Sequence, residues 1–324
     1  MARYKDLSVV DKSTSGGTFT AFADFIFAKD GVMYGVGYDE NMLIRHFQIN
    51  SSEKNRIAEL RGSKYVQSDL KDSFKLIKEN LVQGKEVCFF GTPCQAAGLK
   101  SYLKKDYENL VVVDFVCRGV ASPFVFKKYV EYQREKFNAK PIEIRFRNKT
   151  YGYHSGTMLF VFENGKKYYG SGRVDHMLKS YFAGACSRYS CYQCPYKGDK
   201  RCSDITVFDS WHSRQLLNAK KDDDRGFTNV FVRTEKGKRI INEMSEILTI
   251  KTSDPIEMKR LDGVMIEKYP KMHDSRSRLV AEIQEYGFYK AMQKNLPVSK
   301  KDILIERMKG VLHRMGILSL YTKK

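Results

Sequence analysis

Two short apolar runs constrain the fold most. They are Glu86-Val-Cys-Phe-Phe90 and Leu110-Val-Val-Val-Asp-Phe-Val116. Both have strand length and are rich in Val and Phe, and a loop and then a helical pattern follow each. A strand, a loop and a helix make up the unit of an α/β sheet, which holds ligands at the carboxyl ends of its strands. Both loops carry cysteine: Gly91-Thr-Pro-Cys-Gln95 follows the first run and Cys117-Arg-Gly-Val-Ala-Ser-Pro123 the second. In a parallel sheet Cys94 and Cys117 then share one edge. Cys94 opens the helix expected over 96–104, and a helix N-terminus favours thiolate. Cys88, inside the first strand, reads as core.

Between Cys186 and Trp211 stand four of the seven cysteines, Cys186, Cys191, Cys194 and Cys202. Cys191 and Cys194 form a Cys-x-x-Cys pair that can turn two thiolates to one ion. Such density is hard to explain by packing, because a buried cysteine otherwise behaves as a small hydrophobe. The N-terminus has no apolar signal core, and the cysteine number is odd. Ligation or catalysis is therefore a better account than disulfides. Cys94, Cys117, Cys191 and Cys194 together supply the four thiolates that a [4Fe–4S] cluster takes. Cys186, Cys191, Cys194 and Cys202 alone would instead suit a structural zinc ion.

Helices are expected over 18–28, 73–83, 124–137 and 235–248. Strands are expected over 31–38, 43–48, 142–147, 157–163, 203–211 and 229–234, with a hairpin turn at Asn164-Gly165. The fold class is α/β with a mixed sheet flanked by helices and a cysteine-rich loop. One main domain is expected over 1–299, followed by a basic amphipathic helix over 300–324. Lys12-Ser-Thr-Ser-Gly-Gly17 precedes the first helix; it is either an ordinary cap or an anion-binding turn. Gly62-Ser-Lys-Tyr65 can hold an anion through backbone amides and one ammonium. His46 alternates with apolar neighbours and reads as structural. Asp204 and Asp209 flank the strand at 203–211 and read equally well as turn caps.

Lys and Arg exceed Asp and Glu by 57 to 38, a formal charge of +19. That excess points to an anionic partner: a phosphorylated ligand, an acidic membrane surface or nucleic acid. No run of about 18 apolar residues is present to span a membrane. Leu304, Met308, Val311, Leu312, Met315 and Leu318 recur at helical spacing among basic residues, which suits either an acidic membrane surface or packing on the chain's own domain.

The motifs occur in an order that resembles one family. They are Ser-x-Ser-Gly-Gly at 13–17, Gly-Ser-Lys-Tyr-Val-Gln-Ser at 62–68, Gly-Thr-Pro-Cys-Gln at 91–95 and Val-Cys-x-Gly-Val-x-Ser-Pro at 116–123. Phe-Arg-x-Lys-x-x-Gly at 146–152, Ser-Cys-x-x-Cys at 190–194 and Ser-Asp-Ile-Thr-x-x-Asp-x-Trp at 203–211 follow. This series is similar to the coenzyme F420 hydrogenase/dehydrogenase beta-subunit family over roughly residues 10 to 245. The resemblance implies an FAD- and [4Fe–4S]-dependent oxidoreductase passing electrons between a one-electron donor and a two-electron small-molecule substrate. It places Ser15, Gly16, Gly17, Gly62, Ser63, Lys64, Tyr65, Gly91, Thr92, Pro93 and Gln95 around the flavin, and makes Cys94, Cys117, Cys191 and Cys194 the cluster ligands.

The chain departs from the family pattern at Cys117-Arg118-Gly119, where Cys-His-Gly is usual, and at Asp209-Ser-Trp-His212, where Asp-Phe-Trp-Gly is usual. Nothing marks a deazaflavin site, so the sequence leaves the use of coenzyme F420 itself open. The ferredoxin-like segment of many members is absent from the sequence, which makes a separate ferredoxin-like donor the expected partner. Many bacterial members accompany surface-polysaccharide genes, which suggests that setting. The expected location is cytoplasmic, with the C-terminal helix at the inner membrane face. The competing readings are a zinc-stabilised module that binds an anionic polymer and a catalytically silent scaffold at the membrane. Nucleic acid is not the expected partner.

Overall fold

The computed structural model of the chain describes residues 1–220 and 223–318. In chain order its strands are β1 (Ala2–Tyr4), β2 (Val32–Tyr38), β3 (Ile44–Ile49), β4 (Val87–Gly91), β5 (Leu110–Phe115), β6 (Pro141–Asn148), β7 (Thr157–Phe162), β8 (Lys167–Ser171), β9 (Ile205–Ser210), β10 (Phe227–Val232) and β11 (Leu248–Ile250). The chain divides into two compact units. The first comprises Met1–Arg61, Ser68–Arg118 and Gln193–Tyr269; the second comprises Gly62–Gln67, Gly119–Tyr192 and the chain from Pro270 on.

The first unit is built on an eight-stranded mixed sheet in the order β11-β1-β10-β9-β5-β4-β2-β3. Strands β2, β4, β5 and β9 run parallel, while β3, β10, β1 and β11 pair antiparallel. Parallel strands of this kind bury both faces, and successive side chains alternate between them. Cys88, Phe90, Val111 and Val113 enter one core with Phe22 and Ile26 of the helix Thr18–Phe27 and with Ile240 and Ile241. Val87, Phe89, Leu110 and Val112 enter the other, against Ile77 and Leu81 of the helix Ser73–Val82 and Leu99 and Leu103 of the helix Pro93–Leu103. Cys88 is fully buried, and burial pushes its thiol pKa up, as befits a core residue.

The helix expected over 235–248 is shorter. It ends at Glu243, a 3₁₀ turn covers Met244–Glu246, and Leu248–Ile250 form β11 on β1. Pairing with β1 decides the conformation of this β-branched end, since the local pattern cannot register a strand reached only across the fold.

The second unit holds the antiparallel sheet β6-β7-β8. Its β7–β8 hairpin turns at Gly165, with φ of 77°, and Phe162 N–H donates to the Lys166 carbonyl at 3.0 Å. Phe126 and Tyr129, on the helix Pro123–Phe137, pack against Phe146 and Phe160 of the sheet. Beneath them Asp175 is fully buried and accepts from Tyr129 Oη at 2.5 Å, Tyr168 Oη at 3.0 Å and Leu178 N–H at 2.8 Å. The helix Lys300–Arg314 follows near the end of the described chain; of the segment expected to be helical, residues 319–324 lie outside the described residues.

Burial raises the Asp175 pKa to about 6 from its ordinary value of 3.8. The folded state thus binds more protons than the unfolded state between those two values, and stability at this site rises as pH falls from 6 towards 4. Thermal melts should therefore show wild type gaining on Asp175→Asn as pH is lowered from 7 to about 4.5. A constant difference would mean that Asp175 does not titrate in that window. Asp175→Ala, which strips buried Tyr129 and half-buried Tyr168 of their hydroxyl acceptor, should cost about 3 kcal/mol.

Candidate functional site

In the first unit β4 and β5 are in register, with Gly91 beside Asp114, so their following loops leave the same sheet edge. Cys94 lies three residues beyond Gly91, and Cys117 three beyond Asp114. The juxtaposition expected from the sequence is therefore present. Thr92 caps the helix Pro93–Leu103 in a capping box, and its N–H donates to Gln95 Oε1 at 2.9 Å. Pro93 suits the first helical position, where its missing N–H costs nothing. Thr92 Oγ1 lies 3.1 Å from Cys94 Sγ, and Gln95 Nε2 donates to Ser68 Oγ at 2.9 Å. Cys94 is half-buried at this helix start.

Cys194 belongs to the same unit, and the loop after it is tied to β5 in part by Lys197 and Arg201, which sequence reasoning did not single out. Lys197 Nζ donates to the carbonyls of Cys117 and Met265, each at 2.6 Å. Gly198, with φ of 93°, donates its N–H to the Ile266 carbonyl at 2.8 Å. Arg201 Nη1 donates to Asp114 Oδ2 at 3.0 Å, and both side chains are 1 % exposed. Asp204 accepts from Val112 N–H at 2.9 Å and from Thr234 Oγ1 at 2.8 Å. Its role is thus to anchor the start of β9. The loop 194–204 is pinned along β5 by a lysine, an arginine and an aspartate. Lys197 and Arg201 sit in the run Lys-Gly-Asp-Lys-Arg at 197–201, where nothing marks them out from their neighbours.

Cys191 and Cys186 belong to the second unit. There a Cβ on Gly119, whose φ is 137°, would lie 3.2 Å from Cys191 Cβ, so the bare glycine lets that cysteine approach closely. Cys186 is 1 % exposed and accepts from Ser180 Oγ at 3.3 Å. Burial pushes its thiol to about 11. Cys202, in the first unit, is exposed. None of the seven cysteines forms a disulfide, and among the described residues no three His, Cys, Asp or Glu side chains gather closely enough to hold a metal ion. Within the first unit, Cys94 and Cys117 follow adjacent parallel strand ends and Cys194 opens the pinned loop.

The turn Gly62–Tyr65 lies in the second unit. Its Tyr65 carbonyl accepts from Ala121 N–H at 2.9 Å, and the Tyr65 ring stacks on Tyr181 at 4.6 Å. Arg147 Nη1 donates to Tyr65 Oη at 3.4 Å. Lys64 is half-buried by its surface, and its ammonium donates to the Gly62 carbonyl at 3.3 Å. Burial, then the Arg145 guanidinium, pulls the Lys64 pKa down to about 7. This is a cationic turn with part of its charge suppressed.

The Ser15-Gly16-Gly17 turn, in the first unit, serves the fold. Ser15 Oγ donates to the Phe227 carbonyl, Gly16 N–H donates to Thr228 Oγ1 at 3.0 Å, and Tyr4 N–H donates to the Gly16 carbonyl at 2.7 Å. A Cβ at Gly16 would lie 2.5 Å from the Ala2 carbonyl oxygen, so this glycine is where β1 and β10 close on the turn. His46 is structural, as expected. It lies 3.2 Å from the Phe90 carbonyl through Nε2, stacks on Phe89, and is held neutral by burial that drops its pKa to about 4.

The first unit is thus a mixed α/β sheet with cysteines following two adjacent parallel strands and a cysteine loop pinned along one of them. Residues 84–258 match the family model for the coenzyme F420 hydrogenase/dehydrogenase beta subunit, C terminus. That is more than half of the chain, and the chain belongs to this family. Among solved structures the fold is similar to a chain of the F420-reducing [NiFe] hydrogenase complex from Methanosarcina barkeri, in a xenon-derivatised form. The two share 17 % identity and a TM-score of 0.51, with 88 % of this chain and 91 % of that one covered. No curated protein matches the sequence. No helix of the described residues is long and apolar enough to cross a membrane.

The pinned loop makes a stability prediction. Arg201→Met leaves the Asp114 carboxylate buried without its cation and should cost about 3–5 kcal/mol in urea unfolding. Replacing both, as Asp114→Leu with Arg201→Met, should recover much of that loss. A double variant whose loss equals the sum of the Arg201→Met and Asp114→Leu losses would show that the pair is not energetically coupled.

Proposed function

We propose that this chain is an oxidoreductase subunit that binds FAD and a [4Fe–4S] cluster. It passes electrons between a separate ferredoxin-like donor and a two-electron small-molecule substrate. The observation that carries this reading is the placement of Cys94 and Cys117 on one edge of adjacent parallel strands, in a chain whose family is that of a hydrogenase/dehydrogenase beta subunit. Cys94, Cys117, Cys191 and Cys194 are the proposed cluster ligands. The flavin, when bound, supplies the exchange between one- and two-electron chemistry. Gly62–Tyr65 and Gly91–Gln95 are the proposed flavin contacts, with Ser15–Gly17, whose Ser15 hydroxyl and Gly16 backbone groups already hold β10 and β1, lining the cofactor by close packing alone. Lys64, with Arg145 and Arg147 nearby in the second unit, provides positive charge for the cofactor's phosphates.

A structural zinc site on Cys186, Cys191, Cys194 and Cys202 is disfavoured. Cys186 is sealed in the core against Ser180, whereas Cys202 is exposed.

Two tests separate the parts of the proposal. After anaerobic purification, Cys94→Ala and Cys117→Ala should each lose most of the bound iron, while Cys202→Ala keeps it. Full iron in both of the first two variants would remove them from the ligand set. FAD binding through Lys64 should weaken as pH rises from about 6 to 9, because a lysine with a pKa near 7 loses its charge over that range. Bound phosphate raises that pKa and shifts the fall upward. Lys64→Met should bind FAD at least several-fold more weakly at pH 6 and lose the pH slope. An unchanged slope in the variant would place the phosphates elsewhere.

A further inference from the structure

The helix Lys300–Arg314 is turned the opposite way from an ordinary surface helix. A helix on a globular unit normally presents apolar residues inward and charge to water. Here Glu306, Lys309 and His313 make polar and ring contacts inward, with Ile305 and Leu312 half-buried beside them. Glu306 accepts from Ser171 N–H at 2.9 Å and from Ser171 Oγ at 2.8 Å. Lys309 donates to Ser155 Oγ and lies 4.7 Å over the Tyr151 ring. His313 meets the same ring edge-on at 5.2 Å. These contacts lie within the second unit, and they hold the helix by residues 306, 309 and 313.

The opposite side is an apolar stripe. Leu304 is 59 % exposed, Met308 56 %, Val311 44 % and Met315 64 %. At about 100° per residue these four fall within an arc of roughly 60°. Lys300, Arg307 and Arg314 recur every seventh residue along one flank of the stripe, and Lys301 stands on the other; all four are exposed. The two acidic residues of the helix do not offset this charge. Glu306 faces Ser171, and Asp302 accepts from Ser299 Oγ at 2.6 Å in the N-terminal cap. The outward face is therefore apolar along its centre and cationic at its margins.

We propose that this face is the one by which the chain lies on an anionic lipid surface, with Leu304, Met308, Val311 and Met315 in the acyl boundary and Lys300, Lys301, Arg307 and Arg314 at the phosphates. The arrangement is that of an interfacial helix, whose binding combines buried apolar area with attraction to anionic headgroups. Long basic side chains reach the headgroups while their stems cover apolar surface. The formal charge of +19 favours the same occupant. A second copy of the chain fits less well. It would oppose like-charged margins, and four side chains offer much less than the roughly 800 Å² per partner of a stable interface.

The test is flotation of the full chain, purified without oxygen, with vesicles of phosphatidylglycerol and phosphatidylethanolamine and with vesicles of phosphatidylcholine alone. The chain should float with the anionic vesicles, remain behind with the neutral ones, and be partly released by high salt. Leu304→Glu with Met308→Glu should weaken anionic-vesicle binding at least tenfold without lowering the melting temperature. Arg307→Ala with Arg314→Ala provides an independent variant, which should weaken binding several-fold and reduce its salt dependence. Failure to bind anionic vesicles overturns the proposal, as does binding that neither double variant weakens. Self-association that needs Leu304 and Met308 and replaces vesicle binding overturns it too, assigning the stripe to a second copy.

Discussion

The buried pair of Arg201 and Asp114 is the interaction on which the cysteine loop depends. Each side chain is 1 % exposed, and Asp114 Oδ1 has no hydrogen-bond partner among the described residues. Two ions withdrawn from water are costly, and a buried pair of this kind is weak evidence for stability as such. Its value is positional. Asp114 stands on β5, in register with Gly91 of β4, and Arg201 comes from the loop that follows Cys194. The pair fixes that loop along the strand that leads into Cys117, and Lys197 adds a second attachment at the Cys117 carbonyl itself.

The sheet makes this placement possible. Alternation along β4 and β5 satisfies two cores at once, so neither strand can slip by one residue without reversing every side chain. A register fixed by packing fixes where the strands end, and so where Cys94 and Cys117 begin their loops. Sheet packing and cysteine placement are thus one constraint. The capping box of Thr92 and Gln95 then sets the direction of the helix that carries Cys94.

Much of this was legible in the residues. Val87–Phe90 and Leu110–Val116 read as buried strands because continuous apolar runs of strand length have few other uses. The hairpin of β2 and β3 and that of β7 and β8 were marked by alternation and by glycine. The short strands β1 and β11 were not, since three residues show no period and their conformation comes from pairing with each other. Lys197 and Arg201 were hidden in a basic run, because a charge pattern does not reveal which cation is drawn inward. The Ser15–Gly17 turn read as an anion site or a plain cap. Its serine and Gly16 are occupied by β1 and β10, which a local string cannot disclose. The C-terminal helix read as amphipathic, but only the contacts of Glu306, Lys309 and His313 reveal that its apolar side faces outward.

The central claim is redox chemistry carried by cysteine ligands and a flavin. Its most direct test is a count of iron, acid-labile sulfide, zinc and flavin in the full chain purified without oxygen, with the absorption spectrum recorded alongside. The account predicts about four irons with matching sulfide and one FAD per chain. A folded, colourless protein holding zinc and neither iron nor flavin would contradict it.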